Sequence, residues 1–323
     1  STRSRKTSVP WPRRSPISGP KGHMSEYHVP VLLGPSIDGL DIRPGGIYVD
    51  ATFGGGGHAR EIANRLDDNG HLFVFDQDED AEANLWGDAR VTLIQSNFRH
   101  LIRWMKYYAV HGRVDGLLAD LGVSSHQFDD PSRGFSYRYD EPLDMRMNRQ
   151  QELTAAAVLQ KYPADRLQEM FSAYGEITNA RTLAQHIVKV RMSSPIQTTG
   201  QLADIAEQVM KGQKMKYLSQ LFQALRIEIN DEIGALKDLL TGAYAVLKPG
   251  GSVSVIAYHS LEDRLVKRYF KSGNFEGEAE TDLYGRREVI WNVKTKNPIE
   301  PDAEEQKNNP RSRSAKLRIA EKK

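Results

Sequence analysis

Short runs of apolar and β-branched residues alternate with helix-like patterns along this chain, and that alternation limits the possible folds more than any other feature of the sequence. Parallel strands need a long crossover connection, usually a helix, so the alternation indicates βαβ units and a parallel sheet. Five runs are of this kind: Ile47–Phe53, Leu72–Asp78, Val91–Phe98, Val114–Gly122 and Ser252–Ser260.

Two further strand-like segments, Arg287–Lys296 and Ala315–Glu321, come at the end of the sequence with no convincing helix between them. Without a crossover helix they are expected to pair antiparallel. Five parallel strands closed by such a hairpin form the methyltransferase variant of the Rossmann-like, doubly wound α/β fold, whereas a nicotinamide-binding domain more often ends with a parallel strand. The sequence therefore predicts a seven-stranded, mostly parallel sheet with a C-terminal antiparallel hairpin.

A large insertion separates the fourth strand from the fifth. The gap of about 130 residues is too long for one crossover helix in a compact unit. Several helices are predicted in it, and one long helix, from about Ser219 to Val246, then returns to the sheet domain. The predicted helices of the insertion include Ala164–Tyr174, Asn179–Val190 and Thr199–Val209. The predicted domains are a methyltransferase domain in two parts, 24–128 and 218–323, and an inserted helical substrate-recognition domain, 129–217.

Charge is unevenly distributed. Residues 1–23 hold six of the 44 basic residues and no acidic one, so the rest of the chain has 38 basic against 42 acidic residues, a net charge of −4. Nucleic-acid contacts must then come from local patches. We interpret residues 1–23, which are rich in proline, as a disordered tail that is either vector-derived or a mis-assigned start; an RNA-binding arm is the alternative.

Two absences narrow the function. The sequence has no cysteine, which excludes a disulfide framework, a thiolate metal site and a cysteine nucleophile. No apolar stretch approaches the roughly 18 residues that cross a bilayer, and no secretory signal is visible. We therefore expect a cytoplasmic protein without a membrane partner.

A glycine-rich turn follows the first predicted strand. Residues 54–57 are four consecutive glycines, and the pattern becomes helical directly after them. Glycine lets the backbone approach a ligand in conformations that a Cβ forbids. The second strand reaches Asp76 about 20 residues later, where a carboxylate can accept hydrogen bonds from both hydroxyls of a ribose. NAD and S-adenosylmethionine would both use such an acid, and the C-terminal hairpin favours S-adenosylmethionine.

Six motifs occur in order along the chain. They are Asp-Ala-Thr-Phe-Gly-Gly-Gly-Gly-His (50–58), Asp-Leu-Gly-Val-Ser-Ser (120–125), Arg-Gly-Phe-Ser (133–136), Pro-Leu-Asp-Met-Arg-Met (142–147), Phe-Gln-Ala-Leu-Arg-Ile (222–227) and Tyr-His-Ser-Leu-Glu-Asp-Arg (258–264). Together they closely resemble the RsmH (MraW) family of 16S ribosomal RNA cytosine-N4 methyltransferases. The resemblance covers roughly residues 26 to 321, and six ordered motifs are far more specific than one alone.

The resemblance implies S-adenosyl-L-methionine as cofactor and a set of residues that bind it. It implies Gly56, Gly57 and His58 around the methionine end, Asp76 on the ribose, Phe98 and Asp120 near the adenine and sulfonium, and Gln127 beyond them. It also implies the substrate, a decoding-centre cytidine of 16S ribosomal RNA that is methylated on N4 in the assembled small subunit.

The catalytic candidates are Asp120, Tyr258 and His259. Asp120 ends the fourth strand, where amino-methyltransferases of this fold carry an acidic residue, so we expect it or the carbonyls after it to accept hydrogen bonds from the target amine. His259 is alternatively a core histidine. Attack through carbon 5 of a pyrimidine generally needs a cysteine, which this chain lacks, so the exocyclic amine is the expected acceptor of the methyl group.

The substrate-binding candidates are Arg133, Phe135, Lys214 and Lys216. Phe135 and Tyr258 are expected to stack on a flipped base, with a core position as the alternative for each. A wider basic set is either a phosphate-tracking patch or a solvated face: Arg181, Lys189, Arg191, Lys211, Lys214 and Lys216.

Ion pairs and metals complete the expectations. Asp144, Arg146 and Arg226 are expected to form structural ion pairs that hold the insertion to the sheet. No group of His, Asp and Glu has convincing metal-ligand spacing, so no metal is expected.

Other functions stay open at this point. One is an N-methyltransferase that acts on DNA, another RNA or a small molecule, and another is an inactive RNA-binding assembly factor. The large insertion favours a macromolecular substrate, and the intact cofactor motifs argue against an inactive factor. The expected partner is the small ribosomal subunit with its 16S RNA, and a homodimer is compatible with the sequence.

Overall fold

The protein is built around one seven-stranded sheet. A computed structural model describes residues 30–122, 131–277 and 289–323. The strands are β1 (Ile47–Asp50), β2 (His71–Asp76), β3 (Val91–Gln95), β4 (Val114–Asp120), β5 (Leu247–Ala257), β6 (Trp291–Val293) and β7 (Lys316–Lys322). Their order in the sheet is β3-β2-β1-β4-β5-β7-β6. Strands β1 to β5 are parallel, and β7 is antiparallel to both β5 and β6, which confirms the predicted sheet and its C-terminal hairpin.

Helices cover both faces of the sheet and form a separate layer in the insertion. Those of the described residues are α1 (Leu33–Asp38), α2 (Gly57–Asn64), α3 (Leu101–Tyr107), α4 (Ala155–Lys161), α5 (Ala164–Gly175), α6 (Ala180–Arg191), α7 (Thr199–Glu207), α8 (Lys214–Asn230), α9 (Glu232–Val246), α10 (Ser260–Ser272) and α11 (Ala303–Asn308). No helix among these combines the length and apolar character that crossing a membrane requires.

Successive strand side chains point to opposite faces of the sheet, so each strand contributes to two cores. Phe73 and Leu117 pack with α3, α9 and α10 on one face. Leu72 precedes Phe73 in the chain, and Leu118 follows Leu117. These two leucines pack with α1 and α2 on the other face. Burial on both faces is why the central strands read as continuous apolar runs and not as alternating ones.

Helices α4 to α8 enclose a third core, which we call the lobe. Its apolar cluster includes residues from Phe135 to Ile229. The three helices predicted there from the sequence are confirmed within one or two residues. The segment that leads into the lobe contacts the sheet domain just after β2, where Gln150 donates a hydrogen bond of 2.9 Å to Glu79. The predicted domain boundaries themselves stay a prediction.

Two of the predicted elements are corrected. The single helix expected from Ser219 to Val246 is interrupted at Asp231, which has a φ of 46° and separates α8 from α9. An aspartate tolerates this left-handed conformation better than most residues. The hairpin connection, expected to lack a helix, contains the six-residue α11. Its N-cap, Asp302, accepts a hydrogen bond of 2.8 Å from the backbone of Glu305.

Candidate functional site

Three carboxylates end three adjacent strands at the carboxyl edge of the sheet. Asp50 is the last residue of β1, Asp76 of β2 and Asp120 of β4. Strands β2 and β3 follow one another on one side of β1, and β4 lies on its other side. Ligands of open α/β sheets bind at such a topological switch point. We call these three residues the carboxylate row. The sequence predicts roles for Asp76 and Asp120 but none for Asp50.

Asp50 is completely buried. Its Oδ1 accepts a hydrogen bond of 3.0 Å from the backbone N of Thr52. Its Oδ2 has no hydrogen-bond partner among the residues that the structure describes. Desolvation raises the pKa of this carboxyl group to about 6, although the nearby His58 acts in the opposite direction. Such a group is costly for the fold, which makes it a candidate for interaction with a ligand.

Asp76 is held by the loops on either side of it. Its Oδ2 accepts a hydrogen bond of 2.8 Å from the backbone N of Gly54, and its Oδ1 accepts one of 2.9 Å from Asp78. Burial raises the pKa of Asp76, and these two backbone hydrogen bonds lower it. A carboxylate oxygen has a second lone pair, so both oxygens keep acceptor capacity for a pair of hydroxyls.

The second half of the glycine turn, Gly56 and Gly57, leaves no room for larger side chains. Gly56 has a φ of 76°, and a Cβ on it would lie 2.9 Å from the ring of Phe53. A Cβ on Gly57 would lie 2.2 Å from Pro30. Asn84 donates a hydrogen bond of 2.9 Å to the carbonyl of Gly54, which fixes the start of the turn. The turn is therefore rigid and presents bare backbone next to the carboxylate row.

His58 and Asp120 face each other at the end of β4. The Nε2 of the buried His58 donates to the carbonyl of Val31 at 3.0 Å, which leaves Nδ1 facing Oδ2 of Asp120 at 3.9 Å. The Oδ1 of Asp120 accepts a hydrogen bond of 3.1 Å from the backbone N of Gly122. The backbone N of Asp120 in turn donates to Thr52 at 2.6 Å, so β1 and β4 are tied together where they end.

Tyr258 is a neighbour of Asp120. A Cβ on Gly122 would lie 2.9 Å from its ring, so the ring packs directly on the backbone that follows Asp120. Burial raises the pKa of the Tyr258 hydroxyl far above its usual value, and the negative charge of Asp120 raises it further. The hydroxyl therefore stays protonated and is a hydrogen-bond donor to acceptors at this edge.

His259 belongs to a buried polar cluster behind Tyr258. Oε2 of Glu262 accepts a hydrogen bond of 2.8 Å from the backbone N of Tyr258, and Oε1 lies 3.1 Å from Nε2 of His259, outside hydrogen-bond geometry. Arg226 donates to both oxygens of Glu232, at 2.8 and 3.1 Å. The ligand atoms of Glu232, His259 and Glu262 all lie within 4.8 Å of one another. Sequence spacing did not reveal this group because Glu232 comes from a different segment than His259 and Glu262. With the Arg226 cation already bound to Glu232, we interpret the group as an ion-pair network that positions Tyr258.

The remaining cofactor candidates lie at the same edge or outside the described residues. Phe98 begins the turn of 3-10 helix that follows β3, and it is half-buried against the sheet core. The preceding Asn97 donates a hydrogen bond of 3.1 Å to Gln77, which places this turn next to the residue after Asp76. Gln127 lies outside the described residues. The roles of Phe98 and Gln127 stay predictions.

Two of the substrate candidates are buried at the base of the lobe. The guanidinium of Arg133 donates to the carbonyls of Arg146 and Met147 at 3.0 and 3.1 Å and lies 3.7 Å from Asp78. Phe135 is 6% exposed and packs in the lobe core. Its burial favours the core interpretation of this ring, and the contacts of Arg133 favour a role in holding the lobe near the end of β2.

The wider basic set does not form one free patch. Arg191 donates to the carbonyls of Leu159 and Tyr162, both at 2.6 Å, and Lys214 pairs with Glu207. Lys216 is exposed. The expected ion pairs exist, but Asp144 and Arg146 pair with each other within one loop, so this pair does not hold the insertion to the sheet as expected. Arg226 and Glu232 join the last lobe helix to α9.

The site fits S-adenosylmethionine on three observations. The glycine turn would be blocked by any Cβ at Gly56 or Gly57, Asp76 keeps free acceptor capacity, and Asp50 has a buried oxygen without a partner among the described residues. The last two residues offer acceptors to hydroxyl and ammonium groups, and the turn offers a close approach to backbone.

Known proteins resemble this chain over most of its length. The model of the MraW methylase family matches residues 25–323. The chain is 54% identical over 297 residues to the ribosomal RNA small subunit methyltransferase H of Parabacteroides distasonis, covering 92% of this chain and 97% of the relative. It is also 54% identical to the protein of the same name from Flavobacterium johnsoniae, with 92% and 98% covered. A solved rRNA methylase from Streptococcus thermophilus is 13% identical, with a TM-score of 0.38 and coverage of 92% of this chain and 99% of the other.

Proposed function

The chain belongs to the MraW methylase family, and from that membership we propose that it methylates N4 of a decoding-centre cytidine in 16S ribosomal RNA, with S-adenosyl-L-methionine as methyl donor. The similar proteins named ribosomal RNA small subunit methyltransferase H support the class of RNA. The proposed setting is the cytoplasm, with the small ribosomal subunit as partner.

The observation that carries the proposal is the carboxylate row beside Tyr258. Asp76 and the glycine turn form one half of the site, and Asp120 with Tyr258 forms the other. The cofactor supplies an electrophilic methyl group on a sulfonium. Within the second half, Asp120 faces His58 through Oδ2 and accepts from the backbone of Gly122 through Oδ1, so its carboxylate can face both a bound nucleoside and an incoming base.

The protein's own residues have to orient a weak nucleophile. The lone pair of a cytosine amine is delocalised into the ring, so acceptors that bind its protons both position the nitrogen and stabilise the charge that develops on it. We assign this role to Asp120 or the carbonyls after it. The Tyr258 ring, packed on Gly122, is the surface that we propose for stacking on the base.

Mass spectrometry of nucleosides tests the reaction directly. Small subunits from cells that lack the gene are incubated with the protein and S-adenosylmethionine, and their RNA is digested and analysed. We expect N4-methylated cytidine at one position. A methyl group on carbon 5, on ribose or only on DNA would overturn the proposal, and so would an unmodified RNA.

Binding of the cofactor is tested separately at Asp76. We expect Asp76→Ala to abolish detectable S-adenosylmethionine binding in calorimetry, because the ribose hydroxyls lose a charge-assisted acceptor. Since Asp76 also accepts from Gly54 and Asp78, Asp76→Asn is the matched variant that keeps the shape and part of this bonding. Unchanged affinity in both variants would remove Asp76 from the site.

A further inference from the structure

Helix α10 carries a row of exposed cations that the sequence analysis did not single out. Arg264, Lys267, Arg268 and Lys271 are all exposed, and their spacing of three and four residues places them on one face of the helix. We call them the basic stripe. The opposite face is buried against the sheet, with Val266 and Phe270 among its contacts.

The basic stripe lines a concave surface. These four residues, together with Glu276 and Gly277, surround a pocket of about 310 Å³. Arg264 pairs with Glu176 of the lobe at 3.1 Å. Within residues 30–122, 131–277 and 289–323, the side chains of Lys267, Arg268 and Lys271 make no ion pair. Three cations therefore converge on a pocket that has one carboxylate in its lining, an arrangement that favours a polyanion.

The stripe starts close to the candidate active site. Helix α10 begins at Ser260, two residues after Tyr258, and Ser260 donates a hydrogen bond of 2.8 Å to Glu176 of the lobe. From Arg264 to Lys271 the helix rises by roughly 10 Å, at about 1.5 Å per residue. A strand whose target base lies at Tyr258 would therefore meet these cations with its neighbouring nucleotides.

We infer that the basic stripe of α10 binds the phosphate backbone of the RNA strand next to the target nucleotide, an inference that rests on the proposed function. Long, mobile cationic side chains in a row suit phosphates, whose contacts fix the register of a strand without reading its sequence. The pocket lining contains no apolar side chain that could form the dry centre of a protein interface.

The test replaces Lys267, Arg268 and Lys271, the three cations of the stripe that make no ion pair within the part of the chain that the structure describes. In Lys267→Gln/Arg268→Gln/Lys271→Gln the helix propensity is kept, because Gln, Lys and Arg are nearly equal in helices. The matched control is Arg103→Gln/Lys106→Gln/Arg113→Gln, which removes three exposed cations on and after α3. Binding to small subunits and to deproteinised 16S RNA is measured as a function of salt concentration, together with S-adenosylmethionine affinity and methylation rates.

We expect the stripe variant to lower the slope of log affinity against log salt by about 2, since each phosphate contact to a single strand contributes about 0.7. Its KM for the subunit should rise while kcat and cofactor affinity stay unchanged, and the control should keep the slope of the parent. Equal slopes in the parent, the stripe variant and the control would overturn the inference. If the parent still methylates the subunit in that case, the proposed function stands.

Two other outcomes also contradict the inference. A loss of slope with small subunits but not with deproteinised RNA would assign the stripe to an acidic ribosomal protein. An equal loss in the stripe variant and the control would show a general effect of net charge. If the parent itself methylates no subunit, the proposed function fails first, and the inference fails with it.

Discussion

The carboxyl edge of the sheet and the core of the lobe differ in whether their buried polar groups have hydrogen-bond partners. In the lobe, the buried Tyr217 hydroxyl donates to Asn179 at 2.9 Å, and Asn179 donates to the carbonyl of Val209 at 2.8 Å. At the edge, Asp50 has an oxygen without a partner among the described residues. A fold gains nothing from an unsatisfied carboxylate. From this difference we infer that the lobe core serves packing, whereas the edge retains polar groups that destabilise the fold and that a ligand would use.

The largest effect should come from Asp120. Asp120→Asn keeps the shape of the side chain but removes the charge that faces His58 and the acceptor on one oxygen. We expect kcat for RNA methylation to fall by about 100-fold or more, the usual range for a group that handles protons in the transition state. RNA binding, measured without turnover, should change little. Near-normal turnover would show that this end of the carboxylate row is structural, like the lobe.

The next largest effect should come from matched cavities in the core of the lobe and in the core of the sheet. Leu221→Ala in the lobe and Leu117→Ala in β4 each remove a fully buried side chain, at a cost of about 2 to 5 kcal/mol. We expect Leu221→Ala to reduce RNA methylation more than S-adenosylmethionine binding, and Leu117→Ala to reduce both. Thermal unfolding measures the loss of stability, calorimetry measures cofactor binding, and a methylation assay measures activity. Equal losses of cofactor binding in both variants would show that the lobe and the sheet are one cooperative unit.

The sequence predicted the sheet well because the central strands are buried on both faces and read as apolar runs. It predicted the strand ends less well: β1 ends at Asp50, three residues before the expected Phe53, because the chain there turns back towards Phe75 and Asp76. The break at Asp231 was missed, since a helix pattern does not show a single left-handed residue. The polar cluster of Glu232, His259 and Glu262 depends on a contact between two separate segments, which spacing alone does not reveal.

The buried charge at Asp50 should be measurable as a pH effect. Folding raises its pKa from 3.8 to about 6, so the ionised form destabilises the fold: the penalty is absent below about pH 4 and complete above about pH 6. Asp50→Asn should therefore stabilise the protein at pH 8 by up to about 3 kcal/mol, at about 1.4 kcal/mol for each pKa unit. Chemical unfolding at pH 4 and pH 8 measures the difference.

The same variant should lose cofactor affinity if the row serves a ligand. Asp204→Asn, which changes an exposed carboxylate on α7, is the control and should show neither effect. A protein that becomes more stable at pH 8 and keeps its S-adenosylmethionine affinity would contradict the contrast between edge and lobe.

The smallest expected effect concerns Glu176, which joins the two regions at the surface. It accepts hydrogen bonds from Ser260 and Arg264, which lower its pKa. Its contribution to stability is therefore present above its usual pKa of 4.5 and is lost as the pH falls through its lowered value. Because both partners of the ion pair are more than a third exposed, Glu176→Gln should cost less than about 1 kcal/mol at pH 7 and nothing in acid.

The control for this contact is Glu169→Gln, which removes an exposed pair with Arg166 inside the lobe. Both variants should unfold within a fraction of a kcal/mol of each other, so stability alone does not separate them. The KM for the small subunit should separate them, because Glu176, unlike Glu169, bonds to the start of α10. We expect KM to change in Glu176→Gln and not in Glu169→Gln. If neither variant changes it, the lobe and the edge bind RNA without needing this contact to align them.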